Sequence, residues 1–212
     1  MCIGFGVLCA KYPRMATTFT MLSTINAALL AHGQEPVAEN DGSLEWRMLA
    51  ANWPFIVESE LEDGNYHFTK EQVEVTTYST GKFGFDYAYS VPATALYVRN
   101  VWEEDASGTS YEVDWCQDST AVHTDADEGI WIEYVVVPEP SVFTANFVTG
   151  IKMVLEAHIL RAIKEEYREA ESFEQKAMFY LQRARMKSSS SRSKQSIRAG
   201  GGSIVEARKR RG

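Results

Sequence analysis

Residues 130–162 read IWIEYVVVPEPSVFTANFVTGIKMVLEAHILRA, a strand followed by a helix. The first eight, IWIEYVVV, are dense in β-branched and aromatic types and predict a strand buried on both faces. Pro138 and Pro140 end it, because neither donates to a ladder and both fix φ. Ser141 is placed to cap a helix. Phe143, Phe147, Ile151, Val154, Leu155, His158 and Ala162 then recur at steps of three and four, one apolar stripe. A charged patch follows, KEEYREAES at 164–172. It reads as a turn or as a solvated joint where Ser172 restarts a helix. Phe173, Ala177, Tyr180, Leu181 and Ala184 give a second stripe. A strand feeding long amphipathic helices needs packing partners, and these must come from earlier in the chain.

Thr17 or Thr20 caps a first helix reaching about His32, with Leu22, Ile25, Leu29 and Leu30 as its apolar face and Gly33 as its stop. Ser43 starts a second, with Trp46 and Leu49, continued by Phe55, Ile56 and Leu61 to the stop signal Asp63-Gly64. Pro54 lies inside this pattern, where the helix kinks or begins again. Strand signals then take over: 73–80, 95–103, 110–117, 120–124 and 130–137. An aromatic, glycine-rich loop spans 81–92, and a hairpin turn lies at 105–108. In 110–117, Tyr111, Val113 and Trp115 share one face. With no parallel crossover visible, the sheet is expected to be antiparallel. The expected fold is therefore α+β: a four-helix bundle from residues 15–68 and 141–187, with an antiparallel β-sheet domain, 69–140, inserted between its halves. Residues 188–212 form a basic C-terminal arm, disordered or extended. Residues 1–14 read as an extension ahead of Met15, which is the better N-terminus.

Of 212 residues, 45% are apolar, enough for a core. No apolar run approaches the roughly 18–20 residues of a membrane span. Cys2, Cys9 and Cys116 are an odd count without CxxC spacing, which argues against a disulfide framework or a thiolate metal site. The net charge of −8 conceals a split. From Lys187 onward there are eight basic residues against Glu206 alone, +7 on the tail, which leaves −15 on the body. An acidic body with a basic tail points to two different partners.

No catalytic pattern emerges. His32, His67, His123 and His158 are far apart, and HExxH, GxSxG and a phosphate loop are all missing. Asp125, Asp127 and Glu128 lack the ligand spacing of an EF-hand and read as a solvated turn. Tyr78, Phe83, Phe85, Tyr87 and Tyr89 have only Lys82 among them, so they read as core or subunit-interface packing rather than a base-stacking platform. No enzyme activity, cofactor or metal is expected. The one charge-based binding element is the tail, with Arg208, Lys209, Arg210 and Arg211.

The stretch FGFDYAYSVPATALYVRNVW, 83–102, resembles a hallmark of the head-to-tail adaptor (tail tubular protein A, or gatekeeper) family of short-tailed bacteriophages. There an aromatic YAY-x-x-P precedes a strand rich in Leu, Val and Arg. The matching residues here are Tyr87, Tyr89 and Pro92, then Leu96, Val98 and Arg99. LSTINAALLAHGQEPV resembles the family's first helix through Asn26, Gly33, Pro36 and Val37. DEGIWIEYVVVPEPSVFTANFVTGIKMVLEAHI resembles its last strand and third helix. Many relatives carry an Asp soon after the motif proline, where this chain has Ala93-Thr94. The resemblance covers roughly 17–185 and implies a non-enzymatic homo-oligomeric ring, commonly of twelve copies. The ring lies at the head–tail interface of the virion, between the portal protein and the tail nozzle, and DNA passes through it without sequence-specific contact. In the family the helical part meets the portal and the sheet part meets the tail. The arm is then expected to dock on the portal through Ile204 and Val205 with Arg208, Lys209, Arg210 and Arg211. The alternative is a nucleic-acid-binding module that uses the basic tail.

Overall fold

The computed structural model describes residues 18–190. The extension 1–14, Cys2, Cys9 and the arm residues Ile204, Val205, Arg208, Lys209, Arg210 and Arg211 lie outside the described residues. Helix α1, Met21–Ala31, opens with a reciprocal cap. Thr20 Oγ1 accepts from the Ser23 N–H at 3.0 Å, and Ser23 Oγ accepts from the Thr20 N–H at 2.9 Å. Asn26 then holds both the N–H and the C=O of Val37, folding the connection back on the helix. Helix α2, Leu44–Asp63, is capped by Ser43 and passes through Pro54 without restarting.

Eight strands follow: β1 Lys70–Val75, β2 Tyr78–Thr80, β3 Tyr87–Ser90, β4 Ala95–Glu104, β5 Ser110–Glu112, β6 Trp115–Gln117, β7 Ala121–Thr124 and β8 Ile130–Val136. The expected single sheet is in fact two antiparallel four-stranded sheets, ordered β1-β8-β4-β5 and β2-β3-β7-β6. Two runs read as continuous strands are each broken and shared between the sheets. Segment 73–80 breaks at Thr76-Thr77, and 110–117 breaks at Val113-Asp114. Thr124 Oγ1 fixes the second break by donating to the Asp114 C=O at 2.9 Å. Gly129 permits the first. At φ +110°, with its Cβ position 3.3 Å from the Val75 C=O oxygen, no other residue fits comfortably. The break also undoes the shared face of Tyr111, Val113 and Trp115. Tyr111 is exposed, while Val113 and Trp115 pack partly against the sheet core. That core draws Tyr89 and Val122 from one sheet and Val98, Val101, Ile130 and Ile132 from the other, so the sheets pack face to face.

After β8, Pro140–Val142 makes a one-turn 3₁₀ segment, and α3, Ala145–Ile159, begins four residues beyond Ser141. The charged patch is a joint: a π-turn, Leu160–Lys164, then Glu165 in the left-handed region at φ +57°. Helix α4 begins at Tyr167, ahead of Ser172, and continues to Ser190, past the residue where the arm was expected to start.

The helices do not form a four-helix bundle. A bundle needs an apolar seam from every helix around one core. Here α4 buries mostly small residues, Ala170, Ala177, Leu181, Ala184 and Ser188. It lies along α3, and a Cβ at Gly150 would come within 2.6 Å of the Leu181 side chain. Helices α1 and α2 also pack on α3, which is central. The remaining core volume is filled by Tyr66, Phe68 and Phe143 from the connections to the sheets. The molecule is α+β, with helices gathered on α3 and their core reaching Phe68, just ahead of β1, and Leu96 of β4.

Candidate interaction surfaces

The motif residues of 87–99 pack mostly within the sheets, and their later part reaches the helices. The Tyr87 ring sits edge-on to Tyr78, with centroids 4.7 Å apart. Tyr89 is fully buried, and its hydroxyl donates to the Ala126 C=O at 2.6 Å. The Pro92 C=O accepts from the Ala95 N–H in the turn that carries the chain from one sheet to the other. Bulges in β4 after Ala95 and after Val98 re-aim the side chains that follow. Leu96 packs on the helical core, whereas Val98 joins the sheet core. Arg99 donates to the Tyr97 hydroxyl at 3.3 Å, and Tyr97 donates to the Glu62 C=O of α2 at 3.4 Å. Arg99 Nε also lies 4.0 Å from Glu133, which receives Lys70 at 3.0 Å. Tyr89 and Val98 are thus buried in the sheet core, and the half-buried Leu96 with Tyr97 links β4 to the helices.

A tie within the helical part, between α2 and α4, was not legible as a site in the sequence. Glu60, buried in α2, accepts Arg185 Nε at 2.8 Å and Nη2 at 2.7 Å, a bidentate pair across 125 positions. The Tyr66 hydroxyl donates to the same carboxylate. Burial, then the bond to Glu60, pushes the Tyr66 hydroxyl far above its ordinary value, and the bond to Glu60 raises Arg185. The same end of α4 is anchored a second time, where Ser188 Oγ accepts the His67 N–H at 2.7 Å. One signal did exist. Glu60 follows Trp46, Leu49, Trp53 and Val57 at steps of three and four, so a carboxylate stands on the buried face of α2.

The histidines stay apart. His123 Nδ1 accepts the Lys82 backbone N–H at 3.2 Å, so the proton of the neutral ring sits on Nε2, 3.2 Å from Asp118. The nitrogen a general base needs is already occupied, and the ring is covered edge-on by Phe83. His158 is partly buried over the α2–α4 groove, and desolvation holds it below the ordinary histidine value. Among the described residues no three His, Cys, Asp or Glu side chains converge as a metal site. Asp125 of the acidic turn instead accepts the Asp86 N–H.

Asp118 and Asp105 are loop hubs. The Thr120 N–H, then His123 and the Ala121 N–H, hold the Asp118 carboxyl well below the usual 3.8. The Ser107 hydroxyl and the Thr109 N–H push Asp105 down to about 2. The folded state therefore binds these protons less tightly than the unfolded chain. The stability they lend is complete above the unfolded value and drains away as pH falls through the folded one. Unfolding midpoints in urea should fall below about pH 4, and Asp118→Asn should lessen that fall. An unchanged fall would mean the loop bonds do not form in solution.

Among the described residues, several surfaces stand open. A groove of about 390 Å³ between α2, α3 and α4 is lined by Phe55, Ile56, Val154, His158 and Leu181. Phe55 is 73% exposed at its rim, and α4 presents Met178, Phe179 and Met186 to solvent. An acidic cleft of about 580 Å³ at the far end of the first sheet gathers Glu74, Glu103, Glu104, Asp105, Asp127 and Glu128. Among the described residues no helix is long and apolar enough to cross a membrane. No protein-family model matches this chain, and no curated protein matches it.

Proposed function

We propose that this chain is a structural head-to-tail adaptor of a short-tailed bacteriophage. Copies of it form a ring between portal and tail nozzle, commonly twelve, and line the channel through which DNA is ejected. The observation that carries the reading is the motif Tyr87, Tyr89, Pro92, Leu96, Val98 and Arg99, in order with the two flanking segments that resemble the same family. Within the motif Tyr89 and Val98 fill the sheet core and Leu96 reaches the helical core, so its residues hold packing positions. Two further observations support it. Large apolar side chains are exposed on α2 and α4, Phe55, Met178, Phe179 and Met186, and such exposure suits protein partners. Opposite charges also lie on different helices. The end of α2 carries Glu58 and Glu62, and α4 carries Lys176 and Arg183 with no carboxylate after Glu174. Unlike faces on one molecule make head-to-tail contacts, which close into a ring when the rotation between copies closes. The acidic body repels phosphate and lets DNA slide.

In this reading the helical part meets the portal, and the arm docks there through Ile204, Val205, Arg208, Lys209, Arg210 and Arg211. The test is pull-down by purified portal rings. Protein ending at Ser190 keeps the whole of α4, and both it and the Ile204→Asp, Val205→Asp double variant should lose most of the binding. Undiminished binding by both removes the arm from the portal. The nucleic-acid alternative predicts the reverse dependence: tolerance of the Asp pair, loss with each basic residue removed, and steep salt sensitivity.

A further inference from the structure

We propose that in the free protein residues 203–208 of the arm, SIVEAR, add as a strand to the open edge of β1 in the same chain. The basic run behind them then enters the acidic cleft. β1 is the end strand of its sheet and pairs only with β8 among the described residues. Alternate residues along its other side therefore offer unpaired N–H and C=O groups, a template for a further strand. The place where the described chain stops selects the occupant. Ser188 is bonded to the His67 N–H, and His67 stands three residues before the start of β1. The arm thus leaves α4 beside the N-terminal end of the open edge.

Residues 191–202, SRSKQSIRAGGG, end in three glycines that can turn the chain. Ile204-Val205 follow, the only adjacent apolar β-branched pair in the arm. The 14 residues from Ser190 to Ile204 span up to roughly 45–50 Å, and the six of β1 extend only about 20 Å. Reach is therefore no obstacle. Charge sets the direction. The cleft lies at the Val75 end of β1, where Glu74 meets Glu103, Glu104, Asp127 and Glu128, none of which makes an ion pair among the described residues. Arg208, Lys209, Arg210 and Arg211 trail Val205 by three to six residues, about 10–20 Å of extended chain. They reach the cleft only when the added strand runs parallel to β1. A strand added to an existing edge needs no core of its own, so the polar composition of the arm is no obstacle. The contact also covers an edge that would otherwise invite pairing between molecules.

The inference concerns the free protein and does not rest on the adaptor reading. The test is amide hydrogen exchange of the peptide covering Lys70–Val75, in full-length protein and in protein ending at Ser190. Exchange there should be several-fold slower in the full chain, with α3 peptides unchanged. Ile204→Asp, Val205→Asp should match the truncation. Replacing Arg208, Lys209, Arg210 and Arg211 by Gln, or raising salt from about 0.1 M to about 1 M, should give an intermediate rate. Equal exchange at β1 in the full and truncated chains overturns the proposal. So does protection that grows with protein concentration alongside a dimer in light scattering, because the occupant is then another molecule's arm. Portal pull-down is read separately, so either idea can fail alone.

Discussion

Phe147→Ala is expected to lower the free energy of unfolding by about 3–5 kcal/mol, the cost of a large cavity in a filled core. Phe147 has no solvent exposure and stands edge-on to Tyr66 at 5.1 Å, Phe68 at 5.5 Å and Phe143 at 4.7 Å. These rings come from α3 and from the two connections between helices and sheets. A hole there loosens the segment leading into β1 as well as the helices. Urea unfolding followed by far-UV and near-UV circular dichroism should therefore show one shifted transition. If the helical signal moves while the β signal stays in place, the two parts fold independently and the shared core described above is wrong.

Arg185→Ala should cost about 2–3 kcal/mol. Removing one partner of a buried pair leaves the other charge without its donors. The Glu60 side chain is 10% exposed and would retain only Tyr66. Arg185 itself is 37% exposed, so water reaches the vacated space and the effect falls short of a fully buried pair. Arg185→Lys keeps the charge but loses the fork that grips both oxygens, and should cost about half as much. Chemical denaturation of the three proteins decides it. A parental midpoint for Arg185→Ala would show that the pair is a surface contact with no hold on α4.

The parts of the fold legible in the sequence are those fixed locally. Thr20 and Ser43 announce helix starts because a side-chain oxygen must satisfy an orphan N–H. Gly33 and Gly64 mark the stops, and the β-branched and aromatic run 130–137 announces the central strand, although it is not covered on both faces: Ile130, Ile132 and Tyr134 are buried while Trp131 and Glu133 are half-buried. The breaks at Thr76-Thr77 and Val113-Asp114 were hidden, because period-two alternation continues while a strand changes sheets. Only the contacts of Gly129 and Asp114 reveal them, and both are long-range. The bundle failed for a related reason. The stripe on α4 is apolar but small, and the sequence does not say that it lies mainly along α3. Of the surfaces, the tail's charge and the aromatic motif were visible. The Glu60–Arg185 tie was hidden by its 125-residue separation, and the acidic cleft by its assembly from separate turns and strand ends.

The central claim is that copies of this chain assemble beneath a portal. Negative-stain electron microscopy of the purified protein mixed with portal rings of a short-tailed bacteriophage tests it most directly. The account predicts a second ring of density stacked coaxially on one face of the portal, absent from portal alone. Bare portal rings beside free monomers, at concentrations where the protein stays folded, would contradict it.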